Sequence, residues 1–224
     1  MIVIDGSQGE GGGQVLRTAL SLSIVTGIPF RMFNIRARRS RPGLRRQHLT
    51  AVRAAQAVSS AAVEGACPGA SDITFAPGEL KYGHHAFDIG TAGSTVLIAQ
   101  TLILALLRAS ASFHITLEGG THNPMSPPFD FLERAYLPLL RRMGAGVEAK
   151  LIRRGFYPAG GGRLELTITP TENLSPIELC SRGALLEKEA HAVVSQLPLS
   201  IAHRELAVIR DTLAWPKDVL HACE

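Results

Sequence analysis

A glycine-punctuated segment occurs twice in this chain, and the repetition constrains the fold more than any other feature. Gly9-x-x-Gly12-x-x-Val15-Leu16 returns as Gly90-x-x-Gly93-x-x-Val96-Leu97, 81 residues later. Phe30, ahead of Phe33-Asn34-Ile35, matches Phe113, ahead of Ile115-Thr116-Leu117. Leu49 and Val63-Glu64 match Leu132 and Val147-Glu148, with the offset drifting to 84. A period near 80 exceeds the roughly 20–50 residues of solenoid repeats and suits a small domain present twice.

Each copy reads alike. A short strand (2–5; 86–89) leads through glycines into a helix (14–25; 94–108), and a second strand follows (30–36; 113–118). A loop with Pro42-Gly43 or Pro127-Pro128 then opens a second helix (44–60; 129–143), after which two strands complete the copy. The predicted fold class is α/β (α+β). It consists of repeated βαβαββ units, each a four-stranded sheet with two helices on one face. The first unit spans 1–80, the second 81–170, and a third starts over 171–184 near Ile177-Glu178-Leu179. Residues 185–224 read as part of a smaller inserted α/β domain, with a strand over 190–197 and an amphipathic helix over 201–212. Trp215-Pro216 breaks that helix, and 216–224 reads as irregular.

Hydrophobic residues make up 46% of the 224 residues, which supports a substantial core and excludes disorder. The longest apolar stretch, 96–107, is interrupted by Gln100 and Thr101 and falls short of the roughly 20 residues of a membrane span. The N-terminus lacks a basic n-region, and Cys67, Cys180 and Cys223 lack metal spacing. The expectation is a soluble, cytoplasmic protein with ordinary thiols.

Two glycine runs stand out. Gly11-Gly12-Gly13 is not a dinucleotide fingerprint, because position 14 is Gln, and no Gly-Lys-Ser/Thr marks a Walker loop. What remains is a turn whose N–H groups sit at a helix start, a generic anion site, with Glu10 inside it and Arg17 one turn on. Taken alone, Glu10 reads as a solvated residue of a tight turn. The second run, Pro158-Ala159-Gly160-Gly161-Gly162, precedes the alternating strand 164–169 and reads as a structural element between the second and third units.

Arg31, Arg36, Arg38, Arg39, Arg41, Arg45 and Arg46 fall within sixteen residues without an interleaved acid. Such like charges repel unless an anion joins them, so phosphate binding outranks a solvated basic face. Gln100 lies mid-helix among apolar residues and, on its own, reads as a core amide bonded to backbone. In the loop Gly119-Gly120-Thr121-His122-Asn123-Pro124 and onward to Asp130, each polar residue reads individually as a loop hydrogen-bonder or cap. The other histidines show neither metal spacing nor a nucleophile–base pairing.

Together these segments resemble the RNA 3'-terminal phosphate cyclases over residues 2–208. The matching motifs are Asp5-Gly6-x-x-Gly9-Glu10-Gly11-Gly12-Gly13-Gln14-x-Leu16-Arg17 and Arg36-x-x-Arg39-x-x-Pro42-Gly43-Leu44-x-x-Gln47-His48-Leu49-Thr50. Gly90-x-Ala92-Gly93-Ser94, Gly119-Gly120-Thr121-x-Asn123-Pro124 and Arg154-Gly155-x-x-Pro158-x-Gly160-Gly161-Gly162-x-Leu164 complete the set.

The resemblance implies a reaction that turns an RNA 3'-phosphate into a 2',3'-cyclic phosphate, with ATP and a divalent metal (Mg or Mn) and through enzyme-AMP and RNA-AMP. It also implies roles. Gln100, Pro127 and Asp130 would hold the nucleotide, and Glu10 would lie by the metal. Arg17, Arg36, Arg39, Gln47 and His48 would bind phosphate and the RNA 3'-phosphate end. These roles reverse the solitary readings of Glu10 and Gln100. In that family the nucleophilic histidine lies beyond the inserted domain. No histidine here matches its motif, so the chain is expected to be truncated, to contain no catalytic residue and to be inactive as it stands. A non-catalytic, cyclase-like RNA-binding protein is the alternative. The enolpyruvyl transferases share only the repeated fold, and fold alone does not carry function.

Overall fold

The computed structural model describes residues 1–9 and 11–224. The chain divides into two compact units, Met1–Ile177 and Glu178–Glu224. In the first unit, β1 (Ile2–Asp5), α1 (Gly13–Thr26), β2 (Phe30–Phe33), α2 (Arg46–Ser59), β3 (Ala62–Glu64) and β4 (Ile73–Ala76) make up one repeat. Their sheet runs β1-β2-β4-β3, with β1 and β2 parallel and the other pairs antiparallel. A parallel pair needs a crossover, which α1 supplies.

The second repeat has β5 (Gly83–Asp88), α3 (Thr95–Leu106), β6 (Phe113–Gly119), a second helical stretch, β7 (Gly146–Arg153) and β8 (Gly162–Thr169). It reproduces the order and polarity as β5-β6-β8-β7. The expected α/β class and the duplicated sheet-and-helix plan are therefore both present.

Strand alternation decides which face of each sheet is covered. On β8, Leu164, Leu166 and Ile168 are buried, whereas Arg163, Glu165 and Thr167 are only part-buried. On β6, Phe113, Ile115 and Leu117 face the same core. The helices of both repeats form a common layer: α1 packs on α2 and α3, and α2 also packs on α3. Ser21 Oγ of α1 donates to the Thr101 carbonyl of α3 at 2.8 Å. With neighbours on several sides, α3 buries Val96, Ile98, Ala99, Leu102, Ile103 and Leu106. That explains why its sequence is apolar around most of its circumference.

Several expectations need correction. The strand read as 30–36 ends at Phe33, because Asn34 and Arg36 both adopt left-handed φ of 55°. The helix read as 129–143 is instead α4 (Phe129–Phe131), a π turn (Leu132–Tyr136) and α5 (Leu137–Arg142). Pro138, at the start of α5, has no N–H and its ring crowds the carbonyl four residues back, so the regular ladder breaks there. The run Gly160-Gly161-Gly162 lies inside the second repeat, at the end of the loop joining β7 to β8, with Gly162 opening β8. There Gly160 and Gly161 take φ of 74° and 69°. No strand forms where a third repeat was expected to start at 177–179.

The C-terminal unit contains β9 (Ala190–Val193), α6 (Ser200–Leu213), a 3-10 turn (Lys217–Val219) and β10 (Leu220–Cys223). Residues 216–224, read as irregular, instead deliver β10 into parallel pairing with β9. Ala202 and Leu206 of α6 pack with Ala192 and Val194, and Leu220 and Ala222 join that cluster. A four-residue strand whose partner lies some 30 residues earlier leaves little local signal.

Gly155 clamps the second repeat. Its carbonyl accepts from Thr121 N (2.8 Å) and His122 N (3.1 Å), and its N–H donates to Thr121 Oγ1 (2.9 Å). An added Cβ would collide with Gly162 N and Gly119 O, both backbone atoms. Gly155→Ala is therefore expected to lower stability by about 1–3 kcal/mol, read as a reduced midpoint in urea denaturation with an unchanged slope.

Candidate phosphate-binding site

The N-termini of α1 and α2 both lack side-chain caps. Gly12 and Arg45 occupy the cap positions, and neither makes a side-chain cap hydrogen bond. By contrast, Ser94 Oγ at the start of α3 accepts from Leu97 N at 3.2 Å. Uncapped helix starts present N–H donors and the positive end of the helix dipole. Both border a cavity of about 940 Å³ lined by Gly11, Gly12, Gly13, Arg17, Arg36, Arg39, Gln47 and His48 from the first repeat. Asn123, Met125 and Tyr157 from loops of the second repeat complete its lining.

The glycines make room for side chains. A Cβ on Gly12 would lie 2.9 Å from Arg39 Nη2, and one on Gly13 would collide with His48 Nε2. Gly13 also lies against Arg17, whose Nη1 would be 3.0 Å from that Cβ. The run therefore works mainly by letting two arginines and an imidazole lie directly over a helix start.

Arg17 is only 8% exposed, and its Nη2 donates to Gln14 Oε1 at 2.7 Å. Burial pulls its pKa down to about 10, which leaves it charged at neutral pH. Among the described residues no carboxylate pairs with it. Arg36 is also pulled down, first by burial and then by the charges of Arg45 and Arg39. His48 is held neutral: burial, followed by Arg36, Arg17 and Arg45, pushes it down to about 3. His48 Nδ1 and Asn123 Oδ1 are both buried without a hydrogen-bond partner among the described residues. The described residues of the site thus gather positive charge, two helix starts and polar atoms without partners among them around one space.

The arginine cluster is divided among several tasks. Arg31 leaves it to pair with Asp72 at 2.7 Å. Arg36 Nη1 donates to the carbonyls of Arg41 (2.7 Å) and Gly43 (2.9 Å) and closes its own loop. Arg38 donates to the Gly9 carbonyl and Arg46 to the Gly90 carbonyl. Carbonyl oxygens and one distant acid therefore relieve much of the repulsion that the sequence suggests.

The expected nucleotide residues are spread more widely. Gln100 is half-buried and lines a neighbouring cavity of about 210 Å³, which shares Gln14, Arg17 and Leu97 with the first. Pro127 and Asp130 line neither cavity. The Asp130 carboxylate accepts from His122 Nε2 at 2.8 Å, while His122 Nδ1 contacts Thr121 Oγ1 at 2.7 Å and its ring stacks on Phe156. Burial pushes the Asp130 carboxyl up, but the His122 hydrogen bond, a backbone hydrogen bond and the charges of His122 and Arg134 together bring it below its usual range. Glu10, the expected metal residue, lies outside the described residues. Sequence reasoning missed Gln14 and Tyr157 as lining residues. Gln14 entered it as a helix start and a motif position without a role, and Tyr157 sits just ahead of the second glycine run.

Fold and site define an α/β protein of duplicated units with a cavity whose described lining includes three arginines. The family model described as RNA 3'-terminal phosphate cyclase matches residues 8–215, and the chain belongs to that family. It is 53% identical over 219 residues to an RNA 3'-terminal phosphate cyclase of Ectopseudomonas mendocina (strain ymp), covering 98% of this chain and 63% of that protein. It is 53% identical over 220 residues to one of Pseudomonas fluorescens (98% and 64%) and 52% identical over 213 residues to one of Koribacter versatilis (95% and 60%). The chain thus spans under two thirds of the length of these relatives. No helix among the described residues is long and apolar enough to cross a membrane.

His48 makes the pH dependence testable. Its imidazole has an ordinary pKa of 6.5 and stays neutral in the folded chain down to about 3. Its contribution to stability is therefore complete above pH 6.5 and lost as pH falls toward 3, where the unfolded chain binds the extra proton. His48→Gln is expected to flatten the acid limb of stability between pH 6.5 and 4, measured by urea denaturation across that range. The His48 ring resonances should show no protonation step near 6.5.

Proposed function

We propose that this chain carries the phosphate-binding part of an ATP-dependent RNA 3'-terminal phosphate cyclase, which converts an RNA 3'-phosphate to a 2',3'-cyclic phosphate through enzyme-AMP and RNA-AMP. Buried Arg17 is the observation that carries this reading. Among the described residues Arg17 has no carboxylate partner, and a guanidinium removed from water in that way costs on the order of a few kcal/mol, which an incoming phosphate offsets. Arg17, Arg36 and Arg39 would clamp the phosphate oxygens. The N–H groups at the starts of α1 and α2 would supply further donors without reorganisation. Gln47 has a structural partner already, because its Oε1 accepts from Ser94 N at 2.8 Å and ties α2 to the start of α3.

ATP as co-substrate supplies the activating adenylyl group, and the cavity holding Gln100 is the proposed place for its nucleoside end. The described lining residues suit an anion: they include three arginines and no carboxylate. They do not form a divalent-cation site by themselves, and Glu10 is the residue that would hold a Mg or Mn ion. His122 has both ring nitrogens engaged, and His48 sits half-buried against Gly13 and beneath cationic neighbours. Neither is arranged as a nucleophile toward the nucleotide. By itself the chain is therefore proposed to bind the RNA end without forming the covalent adenylate.

Two measurements test this. Arg17→Met is expected to weaken binding of an oligoribonucleotide ending in a 3'-phosphate by about tenfold or more and to lower the salt slope by about one. Its thermal stability without RNA should be unchanged or higher, because a buried charge with no carboxylate partner among the described residues is removed. Equal wild-type affinity for 3'-phosphate and 3'-hydroxyl ends would sink the reading. Incubation with α-labelled ATP and Mg or Mn ions should leave no labelled protein on a denaturing gel, and a labelled band contradicts the second part.

A further inference from the structure

In the C-terminal unit the strand pairing brings two imidazoles and a carboxylate onto one face. β9 and β10 run parallel with His191 directly opposite His221. Alternation turns Ala190, Ala192, Leu220 and Ala222 toward the small core packed by α6. Glu189, His191 and His221 therefore share the other face. The two rings lie 4.8 Å apart between centroids, tilted by 31°. Glu189 Oε2 lies 3.1 Å from His191 Nε2. One ligating atom from each of the three residues lies within 4.8 Å of the other two.

We propose that Glu189, His191 and His221 form a site for a zinc-class transition metal ion, bound through two imidazole nitrogens and one carboxylate oxygen. Zinc prefers such donors at about 2.0–2.2 Å in tetrahedral array, which sets ligand atoms about 3.4 Å apart. Exposed side chains close the gap from 4.8 Å by rotation, with the backbone register already correct. Two nitrogen donors favour Zn²⁺, Co²⁺, Ni²⁺ or Cu²⁺ over Mg²⁺ and Ca²⁺, which select all-oxygen shells. A fourth position stays open to water. The ion would cross-link two four-residue strands that alone make a marginal sheet, so binding and local stability are linked.

The test uses the untagged full chain with Cys67, Cys180 and Cys223 replaced by Ser, so that thiols do not compete. Co²⁺ titration is expected to give one equivalent bound with the visible absorption of tetrahedral coordination, displaced by Zn²⁺. His191→Ala and His221→Ala, one on each strand, should each weaken Zn²⁺ binding at least about tenfold by calorimetry. Glu189→Gln should weaken it by less. Zn²⁺ should raise the melting temperature of the parent chain and not of the two histidine variants, whose circular dichroism without metal should match the parent. Zn²⁺ affinity unchanged in either histidine variant, or no saturable binding in the parent, overturns the proposal.

Discussion

The close approach of side chains to the start of α1 governs the rest of the cavity. Helix starts are common, but most are covered by their own cap or by solvent. Here two successive residues without Cβ atoms let the Arg39 guanidinium and the His48 imidazole rest against the backbone of Gly12 and Gly13. That contact sets where α2 begins relative to α1, because His48 lies in the first turn of α2. It also covers Arg17, which follows one turn further along α1 and becomes buried. Charge, burial and donor direction at the site all trace back to those two missing side chains.

The electrostatic result is a site where burial, and after it like charge, disfavours the cationic forms. Arg17 and Arg36 are both lowered by their surroundings, and His48 gives up its proton altogether at neutral pH. A core built for stability alone would place an apolar residue at position 17. Retaining the guanidinium there makes sense where an anion spends part of its time in the cavity, a common exchange of stability for function.

Much of this was readable from the chain itself. The 81-residue repeat and the strand–glycine–helix order led to the duplicated sheets, because such periodicities are imposed locally. The cavity's arginines were visible as a cluster, yet their division of labour was not. Arg31 reaches Asp72 and Arg46 reaches Gly90 only once the chain has folded, so sequence spacing overstates the free charge. The π turn before Pro138 and the short β10 were missed for different reasons: the first depends on how a ladder reroutes around a lost N–H, the second on a distant partner. Gln100 shows the limit from the other side. Its apolar neighbours suggested a sealed amide, but half of it faces a cavity that only helix packing creates.

The two repeats match in strand order and polarity, yet their first helices begin differently. Position for position, Gly12 and Gly13 of α1 correspond to Gly93 and Ser94 before α3. The Ser94 hydroxyl closes its own helix and the Gln47 amide oxygen holds the Ser94 N–H, whereas α1 is left open. Backbone symmetry and chemical symmetry have therefore parted. One copy of the turn is an internal fastener, and in the other the helix start has no side-chain cap. Two equivalent frames therefore end differently at their first helices, and a single hydroxyl marks the difference.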